Sequence, residues 1–196
     1  MEKYKVKPFN FDEKKAQRAI KLLLESFGED LSREGINRTP ERVSEFYKEA
    51  LSGNAVDPLK LVSAHYTTEY HEEIILVKDI SFYSLCEHHL LPFFGKAHIA
   101  YSPRKDKVIG VSKLVRLFEV FANRLQLQER LTKQIVDAIM QLVEPHGVMV
   151  VIEAEHLCMT MRGVKKPGSK MITSAMGGTF LKDVRTRAEV MSLLKD

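Results

Sequence analysis

No apolar run in the 196 residues approaches the roughly 20 that a membrane-crossing helix needs. The start, Met1-Glu2-Lys3-Tyr4-Lys5, leads into no apolar signal stretch. A cytoplasmic protein with no membrane partner is therefore expected. Cysteine is scarce: Cys86 and Cys158 are the two in the chain. In a reducing compartment such residues are more often reduced, buried or metal-bound than bridged, although a Cys86–Cys158 disulfide stays open to oxidised, metal-free material. Zinc-finger spacing, an RNA-recognition signature and any long basic run are all missing. The net charge of +4 is carried by mixed-sign residues, which fits an acidic ligand and gives no support to a nucleic-acid partner. There is no internal repeat and no low-complexity tract.

What is present reads as an α+β chain, with an N-terminal helical region over 1–60 and a catalytic domain over 61–196. Residues 1–10 read as a loose tail. Asp12 to Phe27 reads as a helix: Asp12 caps it, Ala16, Ala19, Ile20, Leu23 and Phe27 share a face, and Gly28 ends it. Thr39-Pro40-Glu41-Arg42 is a second helix start, with Thr39 as cap. Val43, Phe46, Tyr47 and Ala50 recur behind it, and Gly53 stops the run.

Glu73 to Ser84 turns to β-type residues, Phe93 to Ser102 follows as a strand, and Val108 to Val111 as a short one after a polar turn over 104–107. Ser112 opens the longest helical region, which stumbles at Gln126–Glu129 and ends at Pro145 and Gly147. Val148 to Met161 and Met171 to Met176 read as strands, with a bend at Gly177-Gly178. Asp183 to Leu194 closes the chain as a helix with Val184, Ala188, Met191 and Leu194 inward. The expectation is four or so largely antiparallel strands packed on a helix pair.

The chemistry concentrates in two stretches. In Ser84-Leu85-Cys86-Glu87-His88-His89, a thiol and an imidazole three residues apart can close on one ion, and sulfur with nitrogen is the donor set zinc favours. In the strand after Val148, the parity of Val148, Val150, Ile152 and Ala154 would continue as His156, Cys158, Thr160 and Arg162. Cys86, His89 and Cys158 make three ligands. His88 or His156 could be a fourth, which would make the site structural, or either could stay free for proton transfer. The cytidine-deaminase pattern is excluded, because its Cys-x-x-Cys pair and His-x-Glu are absent. Ser112, Lys113 and Arg116 at a helix start, with Arg162 and Lys165 after the second stretch, read as an anion site for a phosphate-bearing substrate. The carboxylate of Glu129 is of a kind that pairs with the N1–H and 2-amino edge of guanine. Taken alone, Glu129 and Arg42 read as surface charges.

Four segments together resemble GTP cyclohydrolase I of the zinc-dependent type. They are the Ser84–His89 stretch, Gly110-Val111-Ser112-Lys113-x-x-Arg116, Gln126-x-Gln128-Glu129-Arg130-Leu131-Thr132, and His156-x-Cys158-Met159-x-x-Arg162-Gly163. The similarity runs from about Thr39 to Arg187. It implies the tunnelling fold, and a homodecamer with sites shared between subunits. It further implies Zn2+ on Cys86, His89 and Cys158 with water completing the site, and GTP hydrolysed at C8 to formate and 7,8-dihydroneopterin triphosphate, a first step toward tetrahydrofolate. His156 would deliver a proton at the purine N7, and His88 would assist near the ribose and the attacking water. Glu129, helped by Gln128, would grip guanine. Lys113, Arg116 and Arg162 would bind triphosphate and Ser112 ribose, while Arg42 would reach the triphosphate from an adjacent subunit. Two other readings remain: a zinc-stabilised binding module, and a nitrile reductase of the same fold, whose catalytic Cys lacks this zinc set.

Overall fold

The structure, a computed structural model, describes residues 9–61, 65–66, 71, 73–104 and 107–195. Most of the expected tail, and Lys105-Asp106 of the expected turn, lie outside these residues. The elements in chain order are α1 (Glu13–Ser26), α2 (Thr39–Ala50), α3 (Pro58–Leu61), β1 (His65–Tyr66), β2 (Ile75–Cys86), β3 (Pro92–Ser102), β4 (Val108–Ile109), α4 (Val111–Ala122), β5 (Leu125–Gln126), α5 (Gln128–Val143), β6 (Gly147–His156), α6 (Leu157–Thr160), β7 (Lys170–Gly178), α7 (Thr179–Lys182) and α8 (Val184–Lys195).

The chain is α+β as expected, but its main sheet has five strands rather than four, in the order β5-β2-β3-β6-β7. The extra strand is β5. The polar joint between the long helices is extended and pairs in parallel with the end of β2, Cys86 opposite Gln126. The short strand expected over Val108–Val111 is Val108–Ile109 and pairs with β1 away from the main sheet. Gly177 and Gly178 are not a free bend, because both pair with β6 as the end of β7.

One face of the sheet packs on α4 and α5. Leu114, Leu117, Phe118 and Phe121 from α4, and Leu131, Ile135 and Ile139 from α5, meet Phe82, Phe93, Ile99, Val148, Val150 and Ile152, and all are buried. This is the expected helix pair. The opposite face carries a smaller cluster in which Ala100 and Met149 meet Phe180 and Val190. Of the inward face predicted for the closing helix, Leu194 does pack against this cluster, but Val184, Ala188 and Met191 are exposed. Val190 is its buried residue, while Val184 and Met191 are 65% and 41% exposed.

Asp12 caps α1 as predicted, accepting from the Lys15 N–H at 2.9 Å, and Gly28 sits at φ +79 beyond the helix end. Thr39 does not cap α2, because it is already helical and no side chain caps that end. The apolar stripe of α1 is buried nowhere: Leu23 is 53% and Phe27 67% exposed, because α1 packs mainly on α2. No helix among the described residues is long and apolar enough to cross a membrane.

Candidate active site

β2 and β6 both end at the same corner of the sheet, joined through β3, where Phe93 faces His156 across the ladder. After Cys86 the chain turns sharply. Leu90 N–H donates to Cys86 O at 2.9 Å, Leu90 itself is left-handed at φ 55, and Cys86 N–H closes the turn on Leu91 O. After His156 the predicted strand parity stops, because Leu157–Thr160 is a helical turn. Cys158 thus reaches the corner from a helix and not from a strand face. This corrects the predicted continuation through Cys158, Thr160 and Arg162, although His156 itself keeps the parity.

The result is the three-donor set expected from spacing. The ligand atoms of Cys86, His89 and Cys158 lie within 4.8 Å of one another, and His89 Nδ1 is 3.8 Å from Cys86 Sγ. Both cysteines are free thiols. Burial, and then the closeness of Cys86, push the Cys158 thiol above its usual value. Two thiolates at this distance repel one another, and a cation between them relieves that repulsion. Two sulfurs and an imidazole suit a metal ion that prefers soft and nitrogen donors. Neither His88 nor His156 joins the cluster. His88 is exposed, with its ring edge-on to His89 at 6.1 Å between centroids.

His156 is held on two sides. Its ring stacks on Phe93, centroids 4.6 Å apart and planes at 1°, and its Nε2 is 2.7 Å from Gln128 Oε1. Gln128 is 1% exposed. Its Nε2 faces three acceptors, Ile152 O and Met171 O at 3.0 Å and Thr173 Oγ1 at 3.1 Å. The amide can be placed only one way round, so its oxygen must accept and His156 Nε2 must carry the hydrogen. The Nδ1 lone pair of His156 is left free of this contact. Burial lowers the proton affinity of His156, and the Glu129 carboxylate partly offsets that.

Glu129 is exposed in the first turn of α5, next to Gln128. Arg162 stands at this three-donor cluster, with Nη1 3.0 Å from His89 Nε2. Ser112, Lys113 and Arg116 lie in the first turns of α4, Ser112 and Arg116 exposed and Lys113 half-buried. Arg42 is exposed in α2. Among the described residues no hydrogen bond or ion pair ties these four to the cluster. Sequence reasoning passed over the Glu87–Arg130 ion pair and the Phe93 platform. Glu87 and Arg130 each stand inside a motif, but no spacing rule announces a pair 43 residues apart.

The family model described as GTP cyclohydrolase I matches residues 16–195. The GTP cyclohydrolase 1 of Carboxydothermus hydrogenoformans is 60% identical over 183 residues, covering 93% of this chain and 95% of that protein. That of Pelotomaculum thermopropionicum is 58% identical, covering 94% and 98%. That of Clostridioides difficile is 55% identical, covering 93% and 96%. A solved structure of an archaeosine synthase QueF-Like in the apo form overlaps 56% of this chain at 17% identity, with a TM-score of 0.42, too low to bear on the fold. Matched along nearly its whole length, the chain belongs to the GTP cyclohydrolase I family.

Proposed function

We propose that this protein is a zinc-dependent GTP cyclohydrolase I that opens the imidazole ring of GTP at C8, releases formate and forms 7,8-dihydroneopterin triphosphate. The observation that carries the reading is the convergence of Cys86, His89 and Cys158 within 4.8 Å. A zinc ion held by these three would supply a Lewis acid that makes water nucleophilic near neutral pH. The two thiolates would keep the net charge of such a site low, and among the described residues no fourth His, Cys, Asp or Glu joins the three donors.

The protein's own groups do the rest. His156 has an oriented ring and lowered basicity, so it gives up a proton readily, and it is assigned delivery to the purine N7. His88, exposed beside His89, is assigned the ribose side and the attacking water. Glu129 accepts from N1–H and the 2-amino group of guanine, a two-point contact that adenine lacks. Gln128, buried behind the ring, serves guanine indirectly by orienting His156. Lys113, Arg116 and Arg162 take the triphosphate and Ser112 the ribose. Arg42, exposed and unattached to this cluster, completes the triphosphate site from an adjacent subunit of a homodecamer of tunnelling-fold chains. The setting is the cytoplasm and the first step toward tetrahydrofolate. Incubating zinc-loaded protein with GTP should give formate, and neopterin fluorescence after oxidation. Zinc-loaded protein that yields neither overturns the reading.

A further inference from the structure

Glu87 stands between the ligand Cys86 and the histidines, and its carboxylate meets Arg130 Nη2 with both side chains less than half exposed. Arg130 is anchored independently of that contact. Its Nε donates to Gln126 Oε1 at 3.1 Å and its Nη2 to Leu125 O at 3.2 Å. Gln126 is 1% exposed, and its amide nitrogen donates to Phe121 O at 2.8 Å and Gln134 Oε1 at 2.9 Å. The backbone repeats the link, since Glu87 N–H donates to Gln126 O at 3.0 Å. A buried amide thus fixes the guanidinium, and the guanidinium reaches out to the residue after a metal ligand. Arg130 also sits in the first turn of α5, which carries Gln128 and Glu129.

We infer that Arg130 and Glu87 are positioning residues: their ion pair holds the Cys86–His89 turn in its metal-binding geometry against β5 and the start of α5. The inference rests on the proposed metal role of Cys86, His89 and Cys158, and it concerns metal affinity, not turnover. Groups that orient metal ligands without touching the metal commonly change affinity about 10- to 100-fold when removed. Simple charge proximity makes the opposite claim for one partner. Taking a cation away from the neighbourhood of a divalent ion should tighten metal binding.

The test is the zinc affinity of the full chain, measured without GTP by competition with a chromophoric chelator. Glu87→Gln, Arg130→Met and the double variant are compared, with melting temperatures alongside. The expected result is that each single variant loses roughly tenfold in affinity, and that the double variant loses no more than the worse single, since both changes break one contact. Arg130→Met that binds zinc as tightly as the unaltered chain, or tighter, overturns the inference. So do losses that simply multiply in the double variant. If Arg130→Met fails to fold, Arg130→Lys, which keeps the charge but not the fork, should lose affinity without losing the fold; an unchanged affinity there is equally fatal. A chain that shows this pattern but releases no formate from GTP would sink the proposed function and leave the brace standing.

Discussion

Arg162 donates from Nη1 to Nε2 of His89 at 3.0 Å, while the other ring nitrogen, Nδ1, faces Cys86 Sγ at 3.8 Å. A guanidinium has no acceptor, so Nε2 must offer its lone pair and Nδ1 must carry the hydrogen. Ligation through Nδ1 demands the reverse arrangement. A metal held through Nδ1 would thus compete with the Arg162 contact, and under the proposed function Arg162 would then be free to meet phosphate. Arg162→Met should bind zinc a few-fold tighter, in keeping with the ≤ ~1 kcal/mol of an exposed charged contact, and should raise the KM for GTP by roughly tenfold through loss of a phosphate fork. Chelator competition and steady-state kinetics check the two halves. Arg130 and Arg162 are both cations near the cluster, yet their removal should move zinc affinity in opposite directions.

The ligand assignment separates metal binding from proton transfer. Cys158→Ser should purify with little metal, as measured by elemental analysis. His156→Ala should keep its metal and lose about 10²- to 10⁴-fold in turnover, the usual range for a general acid. Metal loss in His156→Ala would mean that the ring is a ligand.

Gln128 ties α5 to the sheet as well as touching His156. Gln128→Leu leaves Ile152 O and Met171 O without their side-chain donor in a buried setting. Losing these side-chain hydrogen bonds costs about 0.5–1.5 kcal/mol each, so the melting temperature should fall by roughly 2–4 °C per kcal/mol lost. Turnover should fall further than stability accounts for, because the His156 ring is no longer held. Unaltered turnover in a folded Gln128→Leu variant would refute the orienting role.

Acid sensitivity should trace partly to a bulge in β2 away from the Cys86–His89–Cys158 cluster. β2 shifts register between Val77 and Ile80, Asp79 is left-handed at φ 62, and the Asp79 N–H donates to His98 Nδ1 at 3.2 Å. Burial holds His98 below its ordinary value of 6.5; Asp79 and Glu153 raise it in part, and Lys96 and Lys78 lower it. A base with a depressed folded value contributes stability that is complete above about pH 6.5 and is lost as the pH falls through the folded value. Protonation also removes the acceptor the bulge uses. The melting temperature of the unaltered protein should drop between pH 7.5 and 5, and His98→Gln should flatten part of that drop. The part due to His156, shifted in the same direction by burial, remains. An identical pH profile in His98→Gln would rule out the bulge as a contributor.

The sequence by itself determined the donors and most of the local structure. Cys86, His89 and Cys158 stood out because thiols are scarce and imidazoles lie beside them. Asp12 and Gly28 marked the ends of α1 by capping chemistry, and the two-residue alternation of β6 placed Val148, Val150, Ile152 and Ala154 in the core and carried His156 to the site. These are short-range properties, set by side-chain type and backbone period, and they survive whatever the rest of the chain does.

Only the tertiary structure decided the remainder. Leu125-Gln126 became a strand because the end of β2 offered it an unpaired edge, and no local propensity announces that. The α6 turn overrode the strand parity and aimed Cys158 at Cys86. The apolar stripe of α1 has helical spacing, yet little but α2 packs against it, so period alone did not foretell burial. The sequence put Gln128 beside Glu129 but gave no sign that its amide would donate to the carbonyls of Ile152 and Met171. Glu87 and Arg130 meet across 43 residues because β2 and β5 lie side by side. Contacts of that kind depend on which segments share a space, and a sequence states residue type and spacing but not that adjacency.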